Sequence, residues 1–165
     1  MRFLLIFVLC TGLANHVDAW ELGKNKDGEY TATTLSTKNN NTFFQIVFVT
    51  GRQCHIIARY GKVTGEPGVD EDIVPLNLRI DSLARYSVEG FGSGETAGRS
   101  VLFSLTNSEP QLLFDIFAGK ILRIKVGHPV DAVYDSFLLT NSGKVIMQAS
   151  QKCQLQIADS EREFF

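Results

Sequence analysis

Residues 74–81 read VPLNLRID. Val74, Leu76, Leu78 and Ile80 alternate with Pro75, Asn77, Arg79 and Asp81, and a period of two marks a strand with one buried and one solvated face. Antiparallel sheets carry such strands, whereas parallel sheets are covered on both faces and read as continuous apolar runs. The neighbouring segments repeat the pattern. FFQIVFV at 43–49 sets Phe44, Ile46 and Phe48 on one face. In 53–60, Cys54, Ile56, Ala58 and Tyr60 fall on one side and His55, Ile57 and Arg59 on the other. In 120–127, Leu122, Ile124 and Val126 should enter the core, while Ile121, Arg123 and Lys125 should face solvent. Strand-like runs at 29–37, 85–91, 99–106 and 133–140 complete a set of about eight, which predicts a mainly β domain, an antiparallel β-sandwich or small barrel.

Two helices break this alternation. Ser108-Glu109-Pro110 is a start signal, with proline in the first turn. Leu112, Leu113, Ile116 and Phe117 then recur at helical spacing before Gly119. Ser142 can cap a final helix to about Ile157, with Ile146, Ala149, Cys153 and Ile157 on one stripe. Two segments read as loops, the polar turn 38–41 and the glycine- and acid-rich stretch from Gly61 to Asp72. Glu161 to Phe165 reads as a short tail.

The N-terminus, MRFLLIFVLCTGLANHVDAW, combines one cation at Arg2, an apolar run from Phe3 to Leu9, and Val17 and Ala19 ahead of Trp20. This is the form of a secretory signal peptide over 1–19, leaving a single β-rich domain over 20–165. The apolar run is short of the ~20 residues a membrane span needs, so no stable membrane insertion is expected after cleavage. Cys10 lacks the small residues that precede a lipidated cysteine. Export would leave Cys54 and Cys153, and an even pair in an oxidising compartment reads as a disulfide, with two separate buried thiols as the other reading. Such a bridge would staple the last helix to the sheet.

The chain has 165 residues, 44% hydrophobic and 21% charged, with a formal net charge of −2. That length fits one domain with a real core. The absence of a basic excess speaks against a nucleic-acid partner, and the apolar content excludes a disordered chain.

Catalytic signals are sparse. His55 and His128 are the histidines left after cleavage, and no G-x-S-x-G nucleophile elbow accompanies them. His128, Asp131 and Asp135 match no metal-ligand spacing and read as a solvated loop. Asp70, Glu71 and Asp72 lack the alternating ligands of a calcium loop. The glycines from Gly90 to Gly98 precede Arg99-Ser100, yet Ser93 stands where a phosphate loop needs glycine, and a strand follows in place of a helix. A flexible hairpin connection is the simpler reading. No catalytic residue, metal or cofactor is therefore assigned. The exposed cations Lys120, Arg123 and Lys125 remain, either as an ordinary solvated face or as a docking surface for an anionic partner.

Trp20 at the start of the mature chain, a cysteine in an early strand, the VPLNLRID strand, the helix QLLFDIFAGK, the strands ILRIKVG and SFLLTNSG, and a helix ending A-x-x-x-C at Ala149–Cys153 follow one another in order. Over residues 50–155 this order resembles the type VI secretion-associated accessory proteins and, more distantly, the invasion-associated locus B proteins. The resemblance implies a periplasmic, disulfide-bonded β-sandwich without catalysis, with Cys54 and Cys153 as its structural pair. The glycine-rich stretch 90–98 and the acidic loop 66–72 depart from it. The functional expectation is a non-enzymatic periplasmic or secreted binding protein that contacts an envelope or secretion-machinery protein. A carrier with a lipid or other small apolar molecule in an internal pocket is the alternative, and a small hydrolase is a third reading.

Overall fold

The computed structural model describes residues 19–51, 53–63, 71–82, 84–95, 98–105, 110–127 and 133–163. Among these the chain runs β1 (Trp20–Lys24), β2 (Tyr30–Leu35), β3 (Thr42–Val49), β4 (His55–Val63), β5 (Glu71–Ile80), β6 (Ala84–Glu95), β7 (Gly98–Ser104), α1 (Pro110–Ala118), β8 (Ile121–Val126), β9 (Val133–Leu138) and α2 (Ser142–Glu163).

The strands form one nine-stranded sheet in the order β1-β2-β3-β4-β7-β6-β5-β8-β9, every neighbouring pair antiparallel. Strands β5, β6 and β7 make a meander that folds back, so β7 lands beside β4 and β5 is left to receive β8. The sheet curls until its ninth strand returns to the second, where Ser36 bridges Phe137 and the Thr37 amide donates to the Ser136 carbonyl at 2.8 Å. The mainly β fold with a short helix and a C-terminal helix is thus as the alternation predicts.

The predicted inner faces are the buried ones. Phe44, Ile46 and Phe48 of β3, Ala58 and Tyr60 of β4, Val74, Leu76, Leu78 and Ile80 of β5, and Leu122 and Ile124 of β8 all enter the core, with Ile56 and Val126 partly covered beside them. Phe44 gathers the rings of Trp20, Phe103 and Phe137 at centroid distances of 6.1, 6.4 and 5.9 Å. Each such side chain taken from water contributes about 1.5–3 kcal/mol. Helix α2 lies on β1, β2 and β3 through Ile146, Ala149 and Cys153, and α1 closes the core with Leu112 and Ile116.

Several expectations need correction. The expected set of about eight strands holds, and among the described residues a ninth, Trp20–Lys24, pairs with β2 as an edge strand. Trp20 is its one buried residue, so no alternation betrays it. The stretch 61–72 is not all loop. Strand β4 runs to Val63 and β5 starts at Glu71, and Gly61 lies in the ladder opposite Phe43, whose ring occupies the place a Cβ would take. Gly90 pairs with Val74 of β5, and Gly92 and Gly94 continue β6 to Glu95 and pair with β7, so that part is strand. Ser142 opens α2, but its hydroxyl donates to the Ile116 carbonyl at 2.9 Å and ties α2 to α1. Helix α2 continues to Glu163, so residues 161–163 are helical. Ser108 and Glu109 of the predicted helix start lie outside the described residues; α1 itself begins at Pro110.

Candidate functional site

The outer face of β6, β5, β8 and β9 carries two rows of side chains set by strand register. In the first, Arg79 on β5 pairs with Arg85 on β6 and with Arg123 on β8, which in turn pairs with Ser136 on β9. In the second, Asn77 lies between Ser87 and Lys125, and Lys125 lies opposite Tyr134. Three arginines therefore stand in one line across three strands, with a lysine in the adjoining row.

Like charges directly opposite one another destabilise a sheet. Their usual structural excuse is protection of an edge. That excuse fails for Arg79, Arg123 and Lys125, since β5 and β8 are each paired on both sides. Among the described residues, the hydrogen bonds of Arg79 and Arg123 go to main-chain carbonyls. Arg79 Nη2 donates to the Ser82 carbonyl at 3.1 Å, and Arg123 Nη1 donates to the Asp81 carbonyl at 3.0 Å. Both acceptors are neutral main-chain atoms of the β5–β6 turn. Lys125 Nζ sits 5.5 Å from the centroid of the Tyr134 ring. Arg79 Nε is buried and meets no acceptor. Glu89, on the same face of β6, lies two rows away from Arg85, opposite Pro75.

Asp81 holds this arrangement in place. The alternation sets its side chain with Arg79, but the residue takes a left-handed conformation with φ 51°. Aspartate tolerates that region better than most residues. Its carboxylate accepts the amide of Ile121 at 2.9 Å and that of Lys120 at 3.1 and 3.2 Å. The acid is thereby engaged with the start of β8, and its carbonyl is left for Arg123.

Of the three predicted surface cations, Arg123 is exposed and Lys125 is half-buried on this face. Lys120 is exposed one residue before β8, out of step with the other two. Ile121 is half-buried. Arg79 and Arg85 complete the row, and no reading of single strands finds them as site residues. Their mutual pairing was legible, since they stand symmetrically about the short turn between two strand-like runs. The pairing of Arg79 with Arg123 joins residues brought together only by the passage of α1, and nothing local encodes it. Arg79, Arg85, Arg123 and Lys125, with Ser87 and Tyr134, border an open depression of about 600 Å³ that Lys120 does not line.

The other sequence candidates are dispersed. Cys54 and Cys153 form a disulfide with a Cα–Cα distance of 6.2 Å, bridging 99 positions. It joins the segment ahead of β4 to the buried stripe of α2, and an apolar depression of about 470 Å³ between Ile56 and Gln154 adjoins it. His55 is exposed at the start of β4. Asp135 is not in a solvated loop. It is buried on β9, where its carboxylate accepts the Tyr60 hydroxyl at 2.7 Å and the Ser36 hydroxyl at 3.0 Å. Burial and then Asp135 push the Tyr60 phenol above its ordinary range. His128, Asp131 and Asp70 lie outside the described residues, and Glu71 and Asp72 belong to β5. Asp115 on α1 accepts from Tyr86 and Gln111, which hold its carboxyl below the usual carboxylate range.

No helix among the described residues is long and apolar enough to cross a membrane. No family model, no curated protein and no solved structure matches the chain.

Proposed function

We propose that this chain is an exported, non-enzymatic binding protein that docks an anionic partner through the outer face of β5, β6 and β8. The observation that carries this reading is the line Arg85–Arg79–Arg123, three cations in register with no carboxylate paired to them among the described residues. A sheet that needed only solubility would intersperse both signs. An array of one sign concentrates field and favours an oppositely charged partner. The disulfide supports export, since structural disulfides persist in oxidising compartments. A partner in the envelope or its secretion machinery follows from that location, in the manner of the accessory proteins the chain resembles.

The internal-carrier alternative has less support. The core that would have to hold such a ligand contains Trp20, Phe103 and Phe137 packed around Phe44, with the buried stripe of α2 beside them. The test of docking is crosslinking in cells that export the protein, comparing wild type with the Arg123→Glu/Lys125→Glu double variant. Docking requires that a crosslinked species present with wild type is lost in the variant. An unchanged crosslink pattern overturns it.

A further inference from the structure

Resting on the reading of this face as the binding surface, we propose that the depression over Arg79, Arg85 and Arg123 takes a phosphate or sulfate monoester carried on a sugar.

A carboxylate offers one charge and two oxygens. A phosphate monoester offers nearly two charges on three strong acceptor oxygens, and a sulfate monoester presents the same three-oxygen tetrahedral face with one charge. Three guanidiniums in consecutive register suit either ester better than a carboxylate, because each can give a forked pair of N–H groups to the oxygens of a tetrahedral anion. Two of the three are pre-set. The main-chain carbonyls of Ser82 and Asp81 each take one donor from Arg79 and Arg123, fixing the planes while most of their five N–H groups remain for a ligand. Arg79, the middle of the line, keeps a buried Nε–H without an acceptor.

The second row of side chains suits the body of the ligand. Ser87 Oγ donates to Asn77 Oδ1 at 3.0 Å, which leaves the Asn77 amide N–H groups and the serine oxygen lone pairs outward for hydroxyls. Tyr134, 58% exposed, offers a ring edge and face beside Lys125. An apolar ring next to neutral donors and acceptors fits the mixed C–H and O–H surface of a sugar. The depression, about 600 Å³, is of a size for a ligand larger than a bare ion.

The experiment is calorimetric or NMR titration of the disulfide-bonded protein at constant ionic strength with inorganic phosphate, glucose 6-phosphate, glucose 6-sulfate, glucose and glucuronate. The expected result is saturable binding of either ester, roughly tenfold or more tighter than inorganic phosphate or glucuronate, with glucose alone not bound. Arg79→Gln and, separately, the exposed Arg123→Gln should each weaken ester binding about tenfold while circular dichroism stays that of wild type. Inorganic phosphate binding as tightly as the esters overturns the sugar assignment. Glucuronate binding as tightly overturns the tetrahedral anion. If none of these probes binds but a hexaglutamate peptide does, the proposal falls while docking of an anionic partner stands. If the esters bind and the cellular crosslink is unaffected by charge reversal, the docking reading fails instead.

Discussion

The Tyr60 hydroxyl donates to the buried Asp135 carboxylate at 2.7 Å, across the place where the ninth strand comes back to the second. Ser36, at the end of β2, supplies the second donor at 3.0 Å. A carboxylate in a core needs every donor it has. Tyr60→Phe should therefore cost about 1.5–3 kcal/mol, the range for hydrogen bonds to charged groups. Chemical denaturation of the variant checks this.

The same contact has a pH signature. The folded phenol ionises above its ordinary value because burial, and then Asp135, disfavour the tyrosinate. A raised folded-state value means the stabilisation is complete below the unfolded tyrosine pKa of about 10 and is lost as pH rises above it. Unfolding midpoints measured across that alkaline window should fall for wild type, and fall less steeply for Tyr60→Phe. Parallel slopes would remove Tyr60 from the account of alkaline sensitivity.

The Cys54–Cys153 bridge closes a separation of 99 residues. Long loops lose the most unfolded-state entropy when closed, and the chain-entropy model gives about 4–5 kcal/mol. Cys54→Ala, which spares the fully buried Cys153, should lower stability by about 2–5 kcal/mol. Denaturation of this variant and of reduced wild type should coincide within error, since both lack only the bridge.

Gly90 sits where β6 meets β7, and a Cβ there would lie 2.6 Å from Val101 Cγ1 and 2.7 Å from the Leu102 carbonyl oxygen. The main-chain oxygen cannot rotate away. Gly90→Ala should cost about 1–3 kcal/mol, the usual penalty of overpacking. Gly28, whose Cβ would meet nothing, is the wrong control because its φ of 80° penalises any side chain by itself. The appropriate comparison is the exposed Gly51→Ala, which should cost less.

The arginine row predicts an unusual sign. Arg85 is exposed and pairs with Arg79, so Arg85→Gln should relieve repulsion and stabilise the fold by about a few tenths of a kcal/mol at low salt. Thermal melts at low and high ionic strength should show that gain and then its disappearance as salt screens the row. Equal or lower stability at low salt would mean that the row carries no repulsive cost.

How much of this was written in the sequence depends on the range of the interaction. The alternation in 74–81 and 43–49 located the core faces because each inner position removes one apolar side chain from water. The stripe Ile146, Ala149 and Cys153 did the same for α2. Trp20 shows the limit. It is buried against Phe44, with its indole N–H donating to the Leu138 carbonyl at 2.8 Å, yet a strand with one buried residue has no period to read. Asp81 is a second case. Its place in the alternation is that of a polar outer residue, while its conformation answers to the amides of Lys120 and Ile121 some forty residues away. The site divides likewise. Arg123 and Lys125 stood out as exposed cations on one strand. Arg79 and Arg85 joined them only through a strand order that topology, not local pattern, decides.

Binding of an anionic partner by the cationic outer face is decided by capture with the Arg123→Glu/Lys125→Glu double variant. The measurement is recovery of the crosslinked envelope partner on wild type and on the variant, at low and raised salt, after melts confirm that both are folded. Surface changes of this kind usually cost within ~0.5 kcal/mol, so the variant should fold. The account predicts that wild type retains the partner at low salt, releases it as ionic strength rises, and that the variant fails to retain it at either. Equal retention by a folded double variant, unaffected by salt, would contradict it.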